Sequence, residues 1–239
     1  MNEVASPRPR AIAILGMHRS GTSALAGSLR QAGVYLGRVL DGGFALNPTG
    51  LQEPAAVLYT HENLLQANGG SWHEPPDSIE WKPMHLAVRD LFIESREGRP
   101  VWGFKDPRTL LVLDGWRSAL PALECVGIFR HPMEVALSLH GRNGFEVDKG
   151  LALWTRYNRD LLRAHERSPF PLLEFVADAG VMARGLARML SALRLAPANA
   201  PDVLDTSLRR FDASAAPAAL PADTASLYAR LRERVAADA

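Results

Sequence analysis

The amino-acid sequence predicts an α/β fold, with three αβα layers built on a central parallel sheet. Two observations carry that prediction. Apolar runs too short for helices, at residues 11–15, 101–104 and 124–129, alternate with segments of helical period, the pattern of strands joined by crossover helices. Each run is also followed closely by a cation, Arg19, Lys105 or Arg130, and ligands of parallel sheets bind beyond the carboxyl ends of the strands.

The first unit spans residues 11–29. AIAIL reads as a buried strand ended by Gly16. The helix that follows carries Leu25 and Leu29 on one face, with small Ala24, Ala26, Gly27 and Ser28 elsewhere, so it can lie close to a sheet. Between them Gly16 and Gly21 permit a sharp reversal. The amides of Ser20, Gly21, Thr22 and Ser23 then converge at a helix N-terminus, where free N–H groups and the helix dipole attract a phosphate. Gly16-x4-Gly21 is the spacing of a P-loop, but Thr22 stands where its lysine should follow the second glycine. The cation, Arg19, lies inside the loop instead, so a nucleotide other than ATP is expected there.

Residues 34–50 are glycine-rich and predict a surface loop able to fold over a site. A helix is expected over 53–68, with Val57, Leu58, His61, Leu64 and Leu65 on one stripe. Residues 69–83 hold three prolines and two tryptophans and read as an irregular, lid-like segment. Another helix, 84–97, is amphipathic through Leu86, Val88, Leu91 and Phe92. The second strand ends in Lys105-Asp106-Pro107-Arg108 and leads to a helix at 110–120. The third ends in Arg130-His131-Pro132, with Pro132 suited to the first turn of a helix at 133–139. A long helix over 149–165 aligns Leu151, Trp154, Asn158, Leu161 and His165. A fourth strand is expected within 170–176, then a helix to about residue 195.

Residues 1–10 read as a loose lead and 196–239 as an Ala/Pro-rich appendage closed by a helix at 224–236, all attached to one domain of 239 residues. With 27 basic and 26 acidic residues the net charge is +1, which argues against nucleic acid or an anionic membrane as main partner. The single cysteine, Cys125, excludes an internal disulfide and fits a reducing cytoplasm as a small core residue. No apolar run reaches the roughly 18 residues of a membrane helix, and the start of the chain lacks a signal-peptide pattern. A soluble cytoplasmic protein of open oligomeric state is expected.

Arg130 and Ser138 complete a pattern. A guanidinium at a strand end and a hydroxyl two turns into the next helix can converge on a second phosphate, whereas a P-loop kinase more usually ends that strand in aspartate for magnesium. RSGTS at 19–23, R-x-P-x5-S from Arg130 to Ser138, and GFKDPR around Lys105 together resemble a bacterial branch of the sulfotransferases that use 3′-phosphoadenosine 5′-phosphosulfate (PAPS), across roughly residues 11–178. The resemblance implies a P-loop NTPase-like sulfotransferase fold. It implies that His18 to Ser23 cradle the 5′-phosphosulfate, that Arg130 and Ser138 hold the 3′-phosphate with Arg209 and Arg210 as further candidates, and that Lys105 lies near the sulfuryl group. It implies PAPS as co-substrate, no metal, and a glycan or other small hydroxyl acceptor, for which Trp72 and Trp81 offer aromatic surface.

Sulfuryl transfer rests on positioning and charge stabilisation, here assigned to Arg19 and Lys105, and on a general base for the acceptor. Cytosolic members of that family carry a histidine two residues after the lysine; here Pro107 holds that place. Branches acting on sugars and tyrosines use a glutamate from the region after the first helix, which makes Glu53 the candidate base, with Asp106 and His61 in reserve. Plainer roles stand beside these: Glu53 as a first-turn acid on the helix dipole, Arg130 as a salt-bridged surface residue, Ser138 as a small helix-face residue, Lys105 and Asp106 paired with each other or with Arg108, His18 packed in its loop, and Asn158 capping a backbone group. A P-loop kinase using ATP and a non-catalytic nucleotide-binding protein are the alternatives.

Overall fold

The computed structural model describes residues 9–40, 42, 50–196 and 219–237. Most of the 34–50 loop's second half, together with Arg209 and Arg210, lies outside them.

Four strands form one all-parallel sheet in the order β2-β1-β3-β4: β1 Arg10–Leu15, β2 Val101–Lys105, β3 Glu124–Arg130 and β4 Leu172–Phe175. Ile14 of β1 lies level with Lys105 of β2 and with Val126 of β3. The loop after β1 is therefore flanked by the ends of β2 and β3, although those strands come some 90 residues and more later in the chain.

Alternation along the strands makes two apolar faces. Ala11, Ala13 and Leu15 join Trp102, Phe104 and Phe129 on one, and Ile12 and Ile14 join Val126, Ile128, Leu173 and Phe175 on the other. Helices α1 (Thr22–Gln31) and α7 (Ala179–Ala192) cover the second face. The first is covered by α2 (Ala55–Ala67), α3 (Pro83–Glu94), α4 (Thr109–Ala119), α6 (Val147–Arg167) and α8 (Ala222–Ala237). Helix α5 (Pro132–Asn143) begins at Pro132, packs on α6 and runs four residues past the expected end. Cys125 is buried, and burial pushes its thiol up to about 11. Among the described residues no helix is long and apolar enough to cross a membrane.

Helix α3 departs from its expected stripe. Its buried residues are His85, Arg89 and Phe92, whereas Leu91 is 63% exposed. Arg89 turns inward because its guanidinium finds Gly115 O at 2.5 Å and the face of Trp81, so a polar anchor sets the rotation of this helix.

Candidate functional site

After β1 the chain turns through two positions that exclude a side chain. A Cβ on Gly16 (φ 157°) would lie 2.4 Å from Ile128 O, and one on Gly21 (φ 90°) 2.8 Å from the Phe175 ring. Between them Arg19 is held at φ 67°, a conformation that strains a non-glycine residue, and its Nε donates to Ser138 Oγ at 2.8 Å. Gly21 is the N-cap of α1; no side chain caps it and no acid lies in the first turn, so the positive end of the helix is presented to the loop. Ser20 Oγ is buried in the same loop with no hydrogen-bond partner among the described residues. An uncapped helix end, a buried spare hydroxyl and a glycine cradle suit an anion such as a nucleotide phosphate.

At the end of β2, fully buried Lys105 donates to Glu53 Oε1 at 2.7 Å and to Ser23 Oγ at 3.2 Å; Ser23 Oγ in turn donates to Leu51 O at 3.0 Å. Glu53 precedes the N-cap Pro54 of α2, so it is not a first-turn acid on the dipole; its partner is the lysine, 52 residues away. Burial pushes the Glu53 carboxyl above its ordinary value, against the pull of Lys105. Burial also pushes the Lys105 amine down, opposed by Glu53. Burial thus opposes the charge on both partners of the pair.

At the end of β3, Arg130 is buried over Phe175 and its Nε donates to Glu134 Oε2 at 2.5 Å. Its carbonyl accepts the Trp154 indole N–H at 2.9 Å, which fixes the strand end to α6. Ser138 and Arg130 were expected to share a phosphate; in the structure Ser138 contacts Arg19, and Arg130 is paired with Glu134. Glu134 carries no motif signal in the sequence; the turn from β3 into α5 brings it to the strand-end guanidinium.

The two reserve bases are engaged elsewhere. Asp106 is fully buried, with Oδ1 accepting from Arg108 N at 2.7 Å and Oδ2 from Arg108 Nη1 at 3.0 Å. Although burial opposes it, Arg108 and His61 hold this carboxyl well below the usual range. His61 Nε2 accepts from the Trp116 indole at 2.8 Å. The two tryptophans of the lid-like segment part company. Trp81 packs edge-on against His61 and Trp116, while Trp72 lies over His18 with ring centroids 4.5 Å apart and has His73 and Phe145 beside it. Tyr157 O–H donates to Trp72 O at 2.8 Å. His18 thus packs against the lid, and burial pushes its ring pKa well down. Asn158 is buried and donates to Trp154 O one turn back, a structural bond.

No family model and no curated protein matches this chain. Its fold is that of solved sulfotransferase structures. It is similar to the sulfotransferase domain of the olefin synthase from Synechococcus PCC 7002, with TM-score 0.54 and 19% identity over 97% of this chain and 98% of that one. It is also similar to the sulfotransferase STF9 from Mycobacterium avium, with TM-score 0.51 and 13% identity over 97% of this chain and 77% of that one. At such identities the likeness is one of fold, a parallel sheet flanked by helices.

Proposed function

We propose that this protein transfers a sulfuryl group from PAPS to a hydroxyl of a carbohydrate or other small acceptor. The observation that carries the proposal is the buried Lys105–Glu53 pair set against Ser23 of the phosphate-type loop: a cation and a carboxylate side by side where a transferred group would lie. A strand-end cation also flanks the loop on its other side, at Arg130, where an ATP-using P-loop enzyme would more usually hold magnesium through an aspartate.

In this reading the loop from His18 to Ser23 binds the 5′-phosphosulfate and Arg130 with Ser138 the 3′-phosphate. The acceptor oxygen bonds to sulfur as the bond from sulfur to the 5′-phosphate oxygen breaks, and 3′,5′-ADP leaves with that electron pair. Glu53 takes the acceptor proton, while Lys105 and Arg19 offset the charge growing on the bridging oxygen. The step needs no residue beyond these. Trp72, with His73 and Phe145, supplies the aromatic wall for a sugar or other ring, and Trp81 packs edge-on against His61 and Trp116 away from it.

Calorimetry with 3′,5′-ADP, ATP-Mg and AMP, followed by sulfate transfer from PAPS to a panel of sugars and alcohols, tests the proposal. Tight binding of 3′,5′-ADP with transfer to a hydroxyl is the expected result. Tight ATP-Mg binding without 3′,5′-ADP binding points to a kinase, and 3′,5′-ADP binding with no transfer across the panel points to a non-catalytic nucleotide binder.

A further inference from the structure

The two stretches of chain that carry Lys105 and Glu53 are joined a second time, a few residues farther along each. Beyond Lys105, Asp106 accepts from the backbone and guanidinium of Arg108, and Arg108 Nη2 reaches Glu62 Oε1 on α2 at 2.7 Å. His61, also on α2, faces Asp106 with Nδ1 at 3.5 Å from Oδ1. His61 Nε2 accepts the Trp116 N–H, which leaves Nδ1 as the ring nitrogen on the Asp106 side, without a hydrogen bond among the described residues. Residues 105–108 after β2 and residues 53–62 leading into α2 are therefore linked by two rungs: Lys105 with Glu53 at the site, and Asp106 and Arg108 with His61 and Glu62 beside it. A fully buried carboxylate is costly unless paired, so this second rung holds only while its members stay in register.

We infer that Asp106 is a positioning residue, which with Arg108, His61 and Glu62 sets the spacing and the electrostatics of the Glu53–Lys105 pair. The inference rests on the sulfotransferase reading for its catalytic consequence but not for its structural one. The charged groups acting on Glu53 are Lys105 and Arg108, which favour its ionised form, and Asp106, which opposes it. Removing the Asp106 charge acts toward easier ionisation of Glu53.

The test is Asp106→Asn, which keeps the shape and loses the charge. Carboxyl ¹³C NMR should show the Glu53 titration midpoint moving to lower pH, whatever reaction the protein performs. In the transfer assay kcat should fall about tenfold or more, with its acid limb moved to lower pH and 3′,5′-ADP affinity held within about threefold. A variant whose kcat drops while the Glu53 midpoint and the acid limb stay in place overturns the inference, since a merely structural role moves neither. If wild-type protein transfers no sulfate and the midpoint still falls in the variant, the positioning role stands and the sulfotransferase reading fails. Glu62→Gln, which loosens Arg108 from the half-exposed end of the network, carries the same test if Asp106→Asn does not fold: a moved Glu53 midpoint supports the inference, and an unmoved one overturns it.

Discussion

The ends of β2 and β3 each carry a buried ion pair, and the two pairs differ in kind. Arg130 and Glu134 are four residues apart, the last residue of β3 paired with the first turn of α5, and a guanidinium stays charged under all ordinary conditions. Lys105 and Glu53 are 52 residues apart, and burial drives their pKa values toward each other. The first pair can only hold charge in place, which suits binding an anion. In the second, burial opposes the charge on both partners, so its charge state depends on the seal around it. One sheet thus presents a fixed cation on one side of the phosphate-type loop and this softer pair on the other.

Lys105→Met should break the soft pair most severely. Turnover is expected to fall about 10²- to 10³-fold, as on loss of one charge-stabilising donor, and the isolated Glu53 should titrate at still higher pH. Steady-state transfer assays and NMR titration read both effects. Glu53→Gln is expected to lower turnover about 10²-fold while 3′,5′-ADP affinity stays within a few-fold. Turnover near wild type in that variant would remove Glu53 from the base role.

The fixed pair should respond in the opposite sense. Arg130→Lys keeps the charge beside Glu134 but loses the planar fork. Calorimetry should show 3′,5′-ADP affinity down about tenfold, with kcat at saturating donor little changed. An unchanged affinity would take the 3′-phosphate away from this strand end.

The smallest effect expected is in stability against pH. Glu53 is protonated in both folded and unfolded chains below its ordinary 4.5, but above it the folded chain keeps the proton longer. The folded state then binds more protons, so stability declines as pH rises through that window. Thermal melts across the window should show this slope in wild-type protein and a shallower one in Glu53→Gln. No such slope is expected from Arg130, whose charge does not change there.

Most of the fold was legible in the sequence because its signals are local. The apolar runs of β1, β2 and β3, the two loop glycines and Pro132 each act within a few residues, and each element stands within a few residues of where periodicity put it. Helix α3 is the exception: apolar spacing pointed to Leu91, and a single inward arginine decided the rotation. At the site, the loop, Lys105 and Arg130 could be named from motif and strand end, and Glu53 only through resemblance. What could not be read was who meets whom. Ser138 bonds to Arg19 from 119 residues away, and Asp106, a reserve base by sequence, is locked by Arg108.

By itself the sequence determined the parallel α/β architecture, the glycine loop after β1 and the cations at the strand ends, since strand, turn and cap preferences are short-range. Only the tertiary structure decided that β2 and β3 lie on either side of β1, and that Glu53 is sealed against Lys105. The reason is physical. Burial and long-range pairing set the charge state of a carboxylate or an amine, and neither quantity exists until the chain has closed around it.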